Sequence, residues 1–145
     1  MRACIQRVRQ ARVTVGEETV GEIGPGLCVL VGFKIGDGEN LIAPMAQRIA
    51  HLRVFEDDAG RMNLSLTDLG FSVLVVSQFT LYADTQRGRR PSFTDALAPS
   101  LAEKYYLKMV ETFRSMEIPV AAGRFGAKML VEIHNWGPVT LILES

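Results

Sequence analysis

The stretch that decides the fold is "SVLVVSQFTLYA", residues 72–83. Val73, Leu74, Val75 and Val76 form an unbroken apolar run, the pattern of a strand buried on both faces. Ser77, Gln78 and Thr80 follow with no turn residue between them, and Phe79 sits among them. If the strand continues, Ser77, Phe79 and Leu81 face one way and Gln78 and Thr80 the other. Hydroxyls and an amide at the end of a core strand need partners. They form either a network that ties the strand end to a neighbouring loop or the floor of a pocket. Thr80 as a nucleophile would need an activating base, and no His, Lys or Asp stands beside it in the chain.

Working outward, the preceding segment "LCVLVGF" is a second continuous apolar run. Val13, Val15 and Val20 around "GEET" predict a first hairpin, punctuated by Gly16 and Gly21. "GDGEN" opens a helix on which Leu41, Met45, Ile49 and Leu52 share a face. Pro44 is tolerated only near a helix start, which places the beginning at about Asn40. "LRVFED" predicts a short strand and "DDAGRMN" a turn. Pro99 suits the first turn of a second helix, with Leu101, Tyr105, Met109, Phe113 and Met116 along one face. "MEIPVAAGRFGA" is irregular with room for a short strand. "KMLVEIHNW" alternates, and "GPVTLILES" closes the chain as a last strand. The expected order is ββα–ββα–ββ, with a further strand possible: an α/β domain spanning residues 1–145. Two main helices cover a mixed sheet that is barrel-like or split into two packed layers.

The composition is that of a globular chain: 48% hydrophobic and 22% charged residues, with a formal net charge of zero. No apolar run approaches the ~20 residues of a membrane helix, and "MRACIQRVRQ" lacks the apolar core of a signal peptide. A cytoplasmic protein is expected. Cys4 and Cys28 lie in apolar contexts outside any C-x-x-C pair, so they read as buried reduced thiols. H-E-x-x-H, G-x-S-x-G and Walker patterns are absent. His51 on the first helix and His134 in an alternating strand read as structural or solvated histidines. No metal site is expected.

Two features remain. Arg87, Arg89 and Arg90 cluster in "QRGRR", and Arg7, Arg9 and Arg12 lie near the N-terminus. Each group is either a solvated surface or a set of phosphate contacts. "NWGPVT" places Gly137-Pro138 between two strand-like segments. It is either a tight turn or a cis bond that aims the neighbouring carbonyls in directions a trans bond cannot.

Together "IQRVRQARVTV", "VLVVSQFTLYAD", "RGRRPSF", "GRFGAKM" and "NWGPVT" resemble the D-aminoacyl-tRNA deacylase family in identity and order, over essentially the whole chain. The resemblance implies a homodimer that hydrolyses the ester between a D-amino acid and the 3′ end of tRNA, and that also acts on mischarged glycyl-tRNA. It implies that Gly137-Pro138 is cis and enters the active site of the other subunit. There its carbonyls would clasp the α-amino group and exclude an L side chain. Ser77, Gln78, Phe79 and Thr80 would line the pocket for the terminal adenosine and the ester, with no metal or organic cofactor. Of these, Gln78, Phe79 and Thr80 would carry the chemistry, through backbone N–H groups around Gln78 and Phe79. The 2′-hydroxyl of the terminal ribose and a water would do the proton work. An aminoacyl ester is already activated, so positioning and oxyanion donors are enough. Arg7, Arg87, Arg89 and Arg90 would contact the tRNA. Trp136 stands where the family often has an acid, and Lys128 where it often has an acid or an apolar residue. Two rival readings are a Thr80-nucleophile esterase or amidase of the same fold, and a non-catalytic tRNA-binding dimer.

Overall fold

The two apolar runs become neighbouring strands at the centre of one sheet. The computed structural model describes residues 1–86 and 88–145. Its strands are β1 (Arg2–Val15), β2 (Glu18–Ile23), β3 (Gly26–Gly32), β4 (Phe55–Glu56), β5 (Met62–Leu64), β6 (Ser72–Ser77), β7 (Val120–Ala122) and β8 (Leu130–Glu144). Its helices are α1 (Ile42–Ala50), α2 (Leu66–Leu69) and α3 (Pro99–Ser115), with 3-10 turns at Glu39–Leu41 and Phe79–Tyr82. The main sheet runs β2-β1-β3-β6-β7, with β8 paired along β1. The β3–β6 and β6–β7 pairs are parallel and the others antiparallel. At the far seam Gly21 of β2 backs onto the Ala122 backbone of β7, so the sheet curls into a nearly closed barrel. β4 and β5 form a separate hairpin.

The period of two explains why the central strands are apolar on every residue. Val29 and Val31 of β3 and Val73 and Val75 of β6 face one core, which α1 and α3 cover. Cys28, Leu74 and Val76 face the barrel interior with Val8, Ala11 and Val13 of β1. Burial pushes the Cys28 thiol up to about 12, so it stays protonated at neutral pH. Both cysteines are free. Tyr106 of α3 is buried, and its hydroxyl lies 2.9 Å from both the Val75 and the Gly123 carbonyl oxygens. That hydroxyl fixes the helix over the β6–β7 crossing.

The barrel-like α/β architecture agrees with the sequence reading, and four details depart from it. The N-terminal segment is one 14-residue strand, so three strands, not two, precede α1. The helical stretch beginning near Asn40 divides into a 3-10 turn and α1, with Pro44 in the first turn. A short helix, α2, was not anticipated; Ser65 and Asp68 form a capping box at its start. β6 stops at Ser77, so the alternation expected for residues 78–81 does not occur.

Candidate active site

β6 ends where β3 and α3 diverge, and a cavity of about 380 Å3 opens there. Its walls come from the ends of β3 (Val31, Gly32) and β6 (Ser77), the start of α3 (Pro99, Ala102), and the flanking Phe93 and Phe125. Three of the residues named from the sequence, Ser77, Gln78 and Phe79, line it. Among the described residues, the lining contains no Asp, Glu, His, Cys, Lys, Arg or Tyr.

The backbone conformation at the cavity edge differs from an extended strand for a specific reason. The Gln78 N–H donates to the Val31 carbonyl at 2.7 Å, the last rung between β6 and β3. The chain then winds into the Phe79–Tyr82 turn, where the Leu81 N–H reaches back to the Gln78 carbonyl. Arg2 braces this turn from behind. Its guanidinium donates to the Leu81 carbonyl and lies over the Tyr82 ring at 5.0 Å. The Gln78 N–H is thus already used and is not an oxyanion donor, which corrects one sequence expectation. The N–H groups of Phe79 and Thr80, at the open amino end of the turn, have no acceptor outside the turn among the described residues. Gly32 packs so tightly against this turn that a Cβ there would lie 2.7 Å from the Gln78 carbonyl oxygen.

Thr80 is exposed and does not line the cavity. The Gln78 side-chain amide donates to its hydroxyl oxygen. An amide cannot take a proton from that hydroxyl, and among the described residues no base is hydrogen-bonded to it. Phe79 is 56% exposed and pairs edge-to-face with Phe93, ring centroids 5.0 Å apart. Such a surface-exposed aromatic pair offers a stacking platform for a base. Phe93, Phe125 and the first turn of α3 were missed as cavity residues. "RPSF" and "GRFG" carry the signal, an aromatic among turn residues with no strand or helix to bury it.

The Gly137-Pro138 bond is cis. It sits in an outward excursion of β8. Gln6 of β1 pairs with Thr140 and Val8 with Asn135, so the single residue Arg7 faces four residues, Trp136 to Val139. Asn135 closes the neck: its Oδ1 accepts from the Val139 N–H at 3.1 Å and its Nδ2 donates to Thr140 Oγ1 at 2.9 Å. Gly137 has φ of +132°, and a Cβ there would meet Arg7 Nη2 at 2.8 Å and Val139 Cγ2 at 2.9 Å. Neither Gly137 nor Pro138 lines the cavity of its own chain.

The basic residues divide. Arg89 and Arg90 are exposed in the loop before α3, and Arg87 lies outside the described residues. Arg7, expected as a phosphate contact, is only 2% exposed. Its Nε donates to the Trp136 carbonyl at 2.8 Å and its Nη1 to the Val54 carbonyl at 2.6 Å. Arg7 is therefore internal scaffolding beneath the excursion, a correction with a simple cause: the position faces the bulge and not solvent. His51 caps α1 with Nδ1 2.9 Å from the Gln47 carbonyl oxygen, and exposed His134 lies on β8; neither lines the cavity. Among the described residues, no group of three or more His, Cys, Asp or Glu side chains could hold a metal ion.

The chain matches the D-Tyr-tRNA(Tyr) deacylase family over residues 4–144. It is 56% identical to a D-aminoacyl-tRNA deacylase of Heliobacterium modesticaldum, covering 100% of this chain and 97% of the relative. Identity is 52% to a D-aminoacyl-tRNA deacylase of Roseiflexus sp. (strain RS-1), covering 100% and 94%. A solved structure described as c-Myc DNA unwinding element binding protein superposes with a TM-score of 0.93 at 42% identity, covering 100% of this chain and 99% of that one. A probable eukaryotic D-amino acid tRNA deacylase superposes at 0.84 with 17% identity, covering 98% and 97%, a likeness of fold. With its motifs, fold and sequence in agreement from end to end, the chain belongs to the D-Tyr-tRNA(Tyr) deacylase family.

Proposed function

We propose that this chain, a hydrolase of the D-aminoacyl-tRNA deacylase family, cleaves its ester by positioning alone, in a composite site made by two copies. The observation that carries this reading is the cavity with no acid, base or thiol in its described lining. An aminoacyl ester needs no strong nucleophile. Water adds to the ester carbonyl, and the bond to the ribose 3′ oxygen breaks. The proton passes to that leaving oxygen by way of the adjacent 2′-hydroxyl, releasing free amino acid and tRNA. The protein holds the carbonyl oxygen against the N–H groups of Phe79 and Thr80 as charge develops. The terminal base stacks on the apolar lining, with the Phe79–Phe93 pair at its edge.

Stereochemistry comes from Gly137-Pro138 of a second copy. β8 is an edge strand of the sheet, and Leu130, Leu141 and Ile142 on it are exposed, a surface suited to a partner. The two backbone carbonyls of the motif accept from the α-ammonium group and leave space only for hydrogen on the L side of Cα. D-aminoacyl esters of many side chains fit, L-aminoacyl esters clash, and glycyl esters pass because they have nothing to clash. Arg89 and Arg90, with Arg87, supply phosphate contacts for a chain whose net charge is zero. Among the described residues no helix is long and apolar enough to cross a membrane. A place in the cytoplasm, beside the translation machinery, suits this substrate.

The test is a substrate panel. Catalytic amounts of purified protein should deacylate D-Tyr-tRNA and Gly-tRNA and spare L-Tyr-tRNA. Intact D-Tyr-tRNA would sink the reading and leave a non-catalytic RNA-binding dimer.

A further inference from the structure

The sequence leaves Trp136 unexplained, and the cavity does not use it. The residue sits at the root of the β8 excursion, immediately before Gly137. Its indole packs against the main core. Two guanidinium groups lie over it, the Arg7 Cζ at 4.8 Å and the Arg9 Cζ at 4.3 Å from the ring centroid. Arg9 is exposed and makes no ion pair among the described residues. Arg7 is buried, and the carboxylate closest to it, Glu56, is 3.9 Å away. The electron-rich face of the indole is thus the shared partner of two cations that would otherwise repel each other.

We propose that Trp136 is a positioning residue for stereochemical discrimination, holding Gly137-Pro138 in place through Arg7 and Arg9. The inference rests on the reading that this motif excludes L side chains. The path is short and continuous. Arg9 and Arg7 both lie against the indole, and Arg7 Nη2 lies 2.8 Å from where a Gly137 Cβ would be. Arg7 also holds the Trp136 carbonyl through Nε. If the indole is lost, Arg7 keeps its bonds to the Val54 and Trp136 carbonyls, but its Nη2 loses the ring that bounds it beneath Gly137, and the carbonyls that select the α-carbon lose part of their fixed direction. Steric exclusion fails with small displacements, whereas binding of a permitted substrate tolerates them.

The experiment measures deacylation of D-Tyr-tRNA and L-Tyr-tRNA by Trp136→Leu, Trp136→Phe and Arg9→Met, with thermal midpoints recorded beside them. Trp136→Leu keeps an apolar side chain but loses the aromatic face and part of the volume, and Trp136→Phe keeps an aromatic face at intermediate volume. It should cut the D-over-L rate ratio by roughly three- to ten-fold, chiefly by raising the L rate. Trp136→Phe should restore most of that ratio, and Arg9→Met should lose about two- to three-fold without a change in fold, since the residue is exposed. A D-over-L ratio within two-fold of the unmodified protein in both Trp136→Leu and Arg9→Met overturns the proposal. So does equal loss in Leu and Phe, which would make the position mere filler. If Gly137→Ala changes the ratio while the Trp136 variants do not, the inference falls and the Gly-Pro reading stands. If Gly137→Ala leaves the ratio untouched, both fall. Should Trp136→Leu not fold, Arg9→Met decides alone.

Discussion

The cavity edge and the β8 excursion are both places where a strand gives up its pairing, yet they are built in opposite ways. At the cavity edge the walls are mostly apolar, the aromatic pair is exposed, and the turn is tied by Gln78 to Thr80 and by Arg2 to the Leu81 carbonyl. At the excursion the flanks are held. Asn135 grips Val139 and Thr140, Arg7 grips Trp136, and Gly137 has no room for a Cβ. The difference teaches a division of labour. On the proposed function, the surface that stacks the terminal base is left apolar and open, and the surface that must refuse one configuration is held at its flanks.

The strongest way to break this comparison is Gly137→Ala. The added Cβ meets Arg7 and the Val139 backbone, and φ of +132° suits glycine alone. A misplacement of about 1 Å costs on the order of 10²-fold in a positioned reaction. Either the D rate or the D-over-L ratio should fall by about that factor in single-turnover assays. An unchanged enzyme would mean that the excursion does not need its rigidity. Next is Asn135→Ala, which opens the neck. Loss of its bonds should cost about 1–3 kcal/mol, seen as a lower midpoint in urea, with some relaxation of chirality. Thr80→Ala sharpens the other side. On the positioning reading only a hydrogen bond disappears, worth ~1 kcal/mol or about five-fold in rate. A fall of several orders with tRNA binding intact would instead make Thr80 the nucleophile. The smallest effect belongs to the paired Arg89→Ala, Arg90→Ala variant. The slope of log affinity against log salt should become shallower by about 1.4, with the D-over-L ratio unmoved.

The sequence disclosed the parts whose signal is local. Unbroken apolar runs at 27–31 and 73–76 gave the central strands, because β3 and β6 are buried on both faces. Pro99 marked the start of α3 because proline fits only a first turn. It did not disclose the end of β6, because nothing in "SQFTL" breaks a strand. The break comes from Arg2 and Gly32, distant in sequence, which shape the turn from behind and below. Arg7 was misread for a related reason. A surface arginine and a buried one look alike until the bulge places that position inside. Gly137-Pro138 was visible as an oddity, but the four-against-one pairing that projects it depends on the register of β1 with β8.

β1 has a consequence of its own. A single strand carries Arg2, which reaches the cavity turn, and Arg7, which reaches the excursion. They stand five positions apart, which at about 3.3 Å per step is roughly 17 Å. On the proposed two-copy site, β1 is a ruler: it sets the span between the socket a chain offers and the probe it extends. In a two-fold pair each probe must reach the opposite socket, so that span has to match the geometry of assembly. An insertion or deletion between Arg2 and Arg7 would mis-space both composite sites at once, even in a chain that still folds and still pairs.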